Sequence, residues 1–328
     1  MNKFRLSKVI FNLIICISFI IVYFLIISVI RNRLDVPQKY ALLVGGGVTE
    51  RDDNESFYSN IEYVSNVLKR LKYKNENMKI LFYGGDSKIR SIAVADATRK
   101  NFINELRHFE KTIDSNDSLL IFRSGHGTIE LVDEKYGILS VDKEIPRIRI
   151  TRIIGTAAVM SFPDGQLSYL EFQDRLKRIK AGQIVVILNQ CYSGQFTEIA
   201  SKLDKTVVVS ETEDVGFAFF SNRKTKSWDS KVWPFVKCMF DGFLLKEHRE
   251  PSQSVLAAFE YMLTCNPNVA GLPIIADRPL LRENPQIKYS HGLKRGGVYI
   301  SNSKNYNYLI EKFWPKTPLV RPREEHFH

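Results

Sequence analysis

The sequence has no internal repeat and no low-complexity tract, which excludes repeat architectures and leaves one or two ordinary packed domains. Cysteine is sparse, at four residues, and none shows zinc-finger spacing. Long runs of basic charge are also missing, although Lys and Arg outnumber Asp and Glu by 47 to 36. Scattered cations without interleaved aromatics describe a solvated surface, so no nucleic-acid partner is expected. The triple glycine Gly45 to Gly47 lacks a following Gly-Lys-Ser/Thr, which argues against a phosphate-binding loop. Apolar residues are plentiful: 44% hydrophobic content over 328 residues is ample for a well-buried core.

Charge is absent altogether between Val9 and Ile30, where Asn12 is the only strongly polar residue. A helix of that length and composition spans a bilayer core. The expected organisation is therefore a tail at 1–8, a transmembrane anchor at 9–30, a polar linker at 31–39, a main domain at 40–290 and a C-terminal extension at 291–328. A cleaved signal peptide would have a shorter apolar core and small residues at its exit, where this chain has Ile27, Val29 and Ile30. Ile15 before Cys16 likewise opposes a lipoprotein site. Lys3, Arg5 and Lys8 before the span nearly balance Arg31, Arg33 and Lys39 after it. The very short leading tail favours an inside N-terminus, and so an extracytoplasmic main domain.

Beyond the linker, apolar runs alternate with segments of helical spacing. Tyr40 to Gly46, Met78 to Gly85, Ser118 to Gly125, Gln183 to Gln190 and Lys205 to Glu211 read as buried strands. Phe57 to Tyr73, Ala97 to Ile113, Val232 to Leu245 and Ser254 to Cys265 read as helices, and Ser168 with Glu171 forms a capping-box signature for another. Such alternation implies an α/β fold with a mostly parallel sheet flanked by helices on both faces.

Ligands of open parallel sheets gather beyond the carboxyl ends of the strands. Two such ends carry chemistry: "LLIFRSGHGT" places His126 between glycines, and "VVILNQCYSGQF" ends in Cys191. A cysteine nucleophile needs a nearby base, and histidine is the usual one. Backbone N–H groups at Gly127 and Cys191 would stabilise an oxyanion, and Gly194 would free the turn after the nucleophile. A lone cysteine after a strand is more often a small buried hydrophobe, and a lone loop histidine is usually just hydrogen-bonded. Gly-His-Gly and Cys-x-Ser-Gly together, each at a strand end, are much harder to explain by packing.

These two segments resemble the signature segments of the caspase-like cysteine peptidases, with the nearest likeness to the legumain family and its bacterial relatives. The likeness extends over about Tyr40 to Pro285. It implies a caspase-like peptidase domain at 40–290 with no cofactor and no metal, acting on a protein or peptide substrate. Carried over by position, His126 is the general acid/base, Cys191 the nucleophile and Gly127 the oxyanion donor. Some members pass the acyl group to an amine, so a transamidase is an alternative to a hydrolase, and a catalytically silent membrane-tethered binding module is another.

The sequence departs from the family in the specificity pocket. Asn189 stands where legumains have an acidic residue, and Ser56 lies near the place of an expected arginine, with Arg51 earlier. Asn189, Glu211, Glu213 and Asp214 are the candidate substrate-binding residues, and the acidic cluster would suit a basic side chain. Ile145 to Ile154 alternates Arg147 and Arg149 with isoleucines and reads as an edge strand guarded by charge in preference to a headgroup site. Cys238 and Cys265 lie in apolar helical segments, where they form either a disulfide or two buried thiols.

Overall fold

Residues 16–25, 37–49, 54–84, 95–133, 137–139, 153–212, 231–245, 254–266, 269 and 285–290 are described by a computed structural model. The apolar runs become β1 (Lys39–Gly46), β2 (Met78–Tyr83), β3 (Ser118–Gly125), β8 (Gln183–Asn189) and β9 (Thr206–Ser210), all parallel to one another. The antiparallel β10 (Gln286–Tyr289) completes a six-stranded sheet of order β10-β9-β8-β3-β1-β2. All eight residues of β3 are buried, as expected of a central parallel strand covered on both faces.

Alternation along β3 divides the core in two. Leu120 and Phe122 face α1 (Asn54–Arg70), α5 (Pro234–Gly242) and α6 (Val255–Cys265), packing with Ile61, Leu68, Phe240 and Met262. Leu119 and Ile121 face α2 (Arg99–Thr112), α3 (Tyr169–Leu176) and α4 (Glu198–Lys202), packing with Phe102, Phe172 and Ile199. Helices therefore cover both faces, as the alternating sequence pattern implies.

The helix starts are chemically marked. Thr98 caps α2 by accepting from Asn101 N at 3.1 Å, and Ser168 caps α3 by accepting from Glu171 N at 3.1 Å. The other half of the expected capping box is diverted: both Glu171 carboxylate oxygens accept from Arg99 Nη2 at 2.8 Å, which ties α3 to α2.

A second sheet was not foreseen. β4 (Gly127–Asp133), β5 (Gly137–Leu139), β6 (Ile153–Phe162) and β7 (Gly165–Ser168) form an antiparallel sheet of order β5-β4-β6-β7. Ala158, Met160 and Phe162 of β6 pack into the core on the α2 face. Of the stretch Ile145 to Ile154, read as an edge strand, 145–152 lie outside the described residues, while Ile153 and Ile154 begin β6, which is an interior strand of this sheet and not an edge.

Cys238 of α5 and Cys265 of α6 are joined in a disulfide. The two helices meet at close range, since a Cβ on Gly242 would lie 2.7 Å from the Ala258 Cα. Residues 16–25 are helical and exposed, with Phe19, Tyr23, Phe24 and Leu25 among the most exposed apolar side chains. No helix among the described residues is long and apolar enough to cross a membrane.

Candidate active site

β3 and β8 are parallel neighbours, paired from Ser118 with Gln183 up to Ser124 with Asn189. His126 lies two residues past Ser124, and Cys191 two past Asn189, so both leave the sheet side by side at its carboxyl edge. The two segments then touch. A Cβ added to Gly127 would lie 2.3 Å from the Cys191 carbonyl oxygen and 2.7 Å from Gln190 Nε2, a space only glycine fits. No protein-family model and no curated protein matches the chain.

The histidine segment is held from two sides. Ser161 N of β6 donates to the His126 carbonyl at 3.1 Å. The exposed imidazole stands edge-on to the Phe57 ring at 5.3 Å, and Phe57 lies 5.8 Å from Trp233. Cys191 is half-buried and outside any disulfide. Among the described residues no group of three or more His, Cys, Asp or Glu is placed to hold a metal ion.

The turn after Cys191 is tight. Tyr192 adopts φ 56°, the left-handed region that L side chains avoid at a cost of about 1–2 kcal/mol. The expected source of freedom, Gly194, does not have a positive φ; the reversal occurs two residues earlier, where partial burial of the Tyr192 ring against the α2-face core offsets the strain. Ser193 and Thr212 pin the turn to the end of β9: Ser193 N donates to Thr212 Oγ1 at 3.0 Å and Thr212 N to Ser193 Oγ at 3.3 Å. Burial, and then the charge of Cys191, raise the Tyr192 hydroxyl above its ordinary pKa.

Two buried polar clusters underlie the crevice, one on each face of the sheet. On the α1 face, Ser124 Oγ donates to Asn189 Oδ1 at 2.6 Å, and Asn60 Nδ2 donates to Ser124 Oγ at 2.9 Å and to Asn189 Oδ1 at 3.1 Å. Asn60 Oδ1 accepts from Trp233 N at 2.9 Å, and Asn189 Nδ2 donates to Glu211 Oε2. Asn60, Ser124, Asn189 and Glu211 are all fully buried. On the α2 face, Arg123 Nη1 donates to Gln190 Oε1 and Nη2 to the Ser161 carbonyl at 2.6 Å, with the guanidinium 5.0 Å from the Phe162 ring centre. Desolvation pushes Arg123 down to about 9, which leaves it charged at neutral pH.

The sequence-derived residues thus fall into three groups. His126, Gly127 and Cys191 come together at the carboxyl edge. Asn189 and Glu211 are bonded to each other just below it. Glu213, Asp214 and Arg51 lie outside the described residues, and Ser56 is buried near the start of α1. Sequence reasoning missed Phe57, Asn60, Arg123, Gln190 and Thr212. Two of these carried a signal: Asn60 is a polar residue beside the apolar helical stripe Phe57, Ile61, Val64 and Leu68, and Arg123 is a charge inside an otherwise apolar strand.

Proposed function

We propose that the chain is a membrane-anchored cysteine endopeptidase of the caspase-like type, with His126 and Cys191 as its catalytic dyad. The observation that carries this reading is the seating of Gly127 on the Cys191 carbonyl, which brings the histidine and cysteine motifs into one crevice. The thiol passes its proton to the imidazole, and the thiolate adds to the scissile carbonyl carbon. Backbone N–H groups of Gly127 and Cys191 meet the oxyanion. Collapse breaks the C–N bond, the imidazolium protonates the departing amine, and a thioester remains on Cys191. Water, deprotonated by His126, then attacks the thioester and releases the acid and the free thiol. A transamidase would differ only in replacing that water by an amine.

The apolar run from Val9 to Ile30 would tether this domain to the bilayer. The Cys238–Cys265 disulfide supports a domain on the oxidising, extracytoplasmic side. Glu211, buried beneath Asn189, supports a preference for cleavage after Arg or Lys. The decisive experiment treats purified protein with an irreversible thiol-directed peptide probe and maps the modified residue. Labelling at Cys191 that disappears in His126→Ala is the expected result; a Cys191 that ignores the probe in the native protein returns the chain to the class of silent binding modules.

A further inference from the structure

Among the described residues, the unsatisfied polar atoms of Arg123 and Gln190, beneath Cys191 on the α2 face, are all donors. Arg123 is 2% exposed, yet no carboxylate lies within ion-pair distance of it among the described residues. Its Nε and the Nε2 of fully buried Gln190 have no hydrogen-bond partner there. Buried polar groups are nearly always satisfied, and an unpaired buried charge is costly, so two orphan donors side by side, one of them on a cation with no carboxylate partner, call for a negative charge nearby. Gln190 Nε2 lies 2.7 Å from where a Cβ on Gly127 would sit, against the same glycine that rests on the Cys191 carbonyl. Arg123 orients that amide by donating to its oxygen, and holds the histidine segment through Ser161, whose carbonyl it binds and whose N–H binds the His126 carbonyl.

We infer that Arg123 and Gln190 are a buried pair of positioning residues whose positive potential favours the Cys191 thiolate and the oxyanion formed beside it. The inference rests on the peptidase reading and adds to it a source of nucleophile activation other than His126. Both donor atoms are sealed from solvent, so they act through their field and not by touching substrate. Titratable groups at this edge of the sheet among the described residues include His126 from the β3–β4 connection, Tyr192 in the turn after Cys191 and Glu211 at the end of β9. Glu211 opposes a second negative charge, and it does so from the opposite face of the sheet, where Asn189 binds it. Arg123 offsets that opposition.

Gln190→Glu separates this role from a structural one. The substitution keeps the shape and gives Arg123 a carboxylate partner, so a purely structural pair would be improved by it. Here it cancels the positive potential. The measurement is the rate of Cys191 alkylation by iodoacetamide in the detergent-solubilised full chain, followed by mass spectrometry across a pH series, with the thermal midpoint recorded alongside. Near neutral pH, Gln190→Glu is expected to slow alkylation by at least about tenfold while its thermal midpoint holds or rises. Arg123→Met, which removes the charge outright, is expected to slow it to a similar degree. A Gln190→Glu protein with the native rate and pH profile overturns the inference and leaves the peptidase reading standing. A native Cys191 that reacts no faster than glutathione at the same pH overturns both.

Discussion

A single methyl group at position 127 tests the join between the two motif segments. Gly127→Ala would bring a Cβ to 2.3 Å from the Cys191 carbonyl oxygen, and backbone cannot swing aside as a flexible side chain can. Separation of the segments by even about 1 Å is expected to lower kcat/KM by about a hundredfold or more, with a stability loss of roughly 1–3 kcal/mol. Steady-state cleavage and urea denaturation check the two parts. Cys191→Ala should show the opposite balance: cleavage abolished, and stability within about 1 kcal/mol of native, since a half-buried thiol contributes little to the core. Cleavage persisting in that variant would remove Cys191 from its role. Glu211→Gln addresses selectivity. It retains an acceptor for Asn189 but removes the buried carboxylate, so the proposed preference for Arg and Lys over uncharged residues should fall by about 2 kcal/mol in a peptide-library profile. A library cleaved only after Asn or Asp would return the pocket to the legumain pattern.

At the scale of elements, the crevice depends on two neighbouring strands ending level. The register from Ser118–Gln183 to Ser124–Asn189 puts both carboxyl ends at the same height, and a slip of one residue would turn every β3 side chain to the opposite face. Buried polar groups specify that register. Ser124 meets Asn189 across the strand pair, and Asn60 reaches both from α1. Strand identity was legible because unbroken Val, Ile and Leu runs of this length suit few other places. The second sheet was less legible, because β5 has only three residues and β7 only four, too short for either to show a strand pattern of its own. The disulfide was undecided in the sequence, where two cysteines 27 residues apart in apolar helices fit a bond or two thiols equally. Packing of α5 on α6 brings them together. Reduction of this bond, or its replacement by a pair of alanines, is expected to lower unfolding stability by about 3 kcal/mol, read as a shift in the urea midpoint with and without dithiothreitol. An unchanged midpoint would show that the two helices hold without it.

For the whole molecule, the question is where the domain works. The uncharged run from Val9 to Ile30 should keep the full chain in the membrane fraction through high-salt and alkaline washes, whereas a chain beginning at Asn32 should be soluble. Recovery of a mature protein starting near Arg31 would instead identify a cleaved signal. The disulfide and the proposed outward orientation belong together, because a reducing compartment would leave Cys238 and Cys265 as thiols.

Local chemistry was sufficient for much of this. Strand runs, helix stripes, the Ser168 cap position, and the glycines around His126 follow from side-chain periodicity and backbone permissiveness, which need only neighbours a few residues away. The sequence by itself therefore determined the α/β alternation and which residues stand at the strand ends. Contacts across the fold were beyond it. That Asn189 sits in a sealed network with Asn60, Ser124 and Glu211, that Phe57 backs His126, and that Arg123 reaches Gln190 are matters of which strands are adjacent and which face each residue takes. Those partners are separated by 22 to 129 residues along the chain, and only the closing of the sheet brings them within hydrogen-bonding distance.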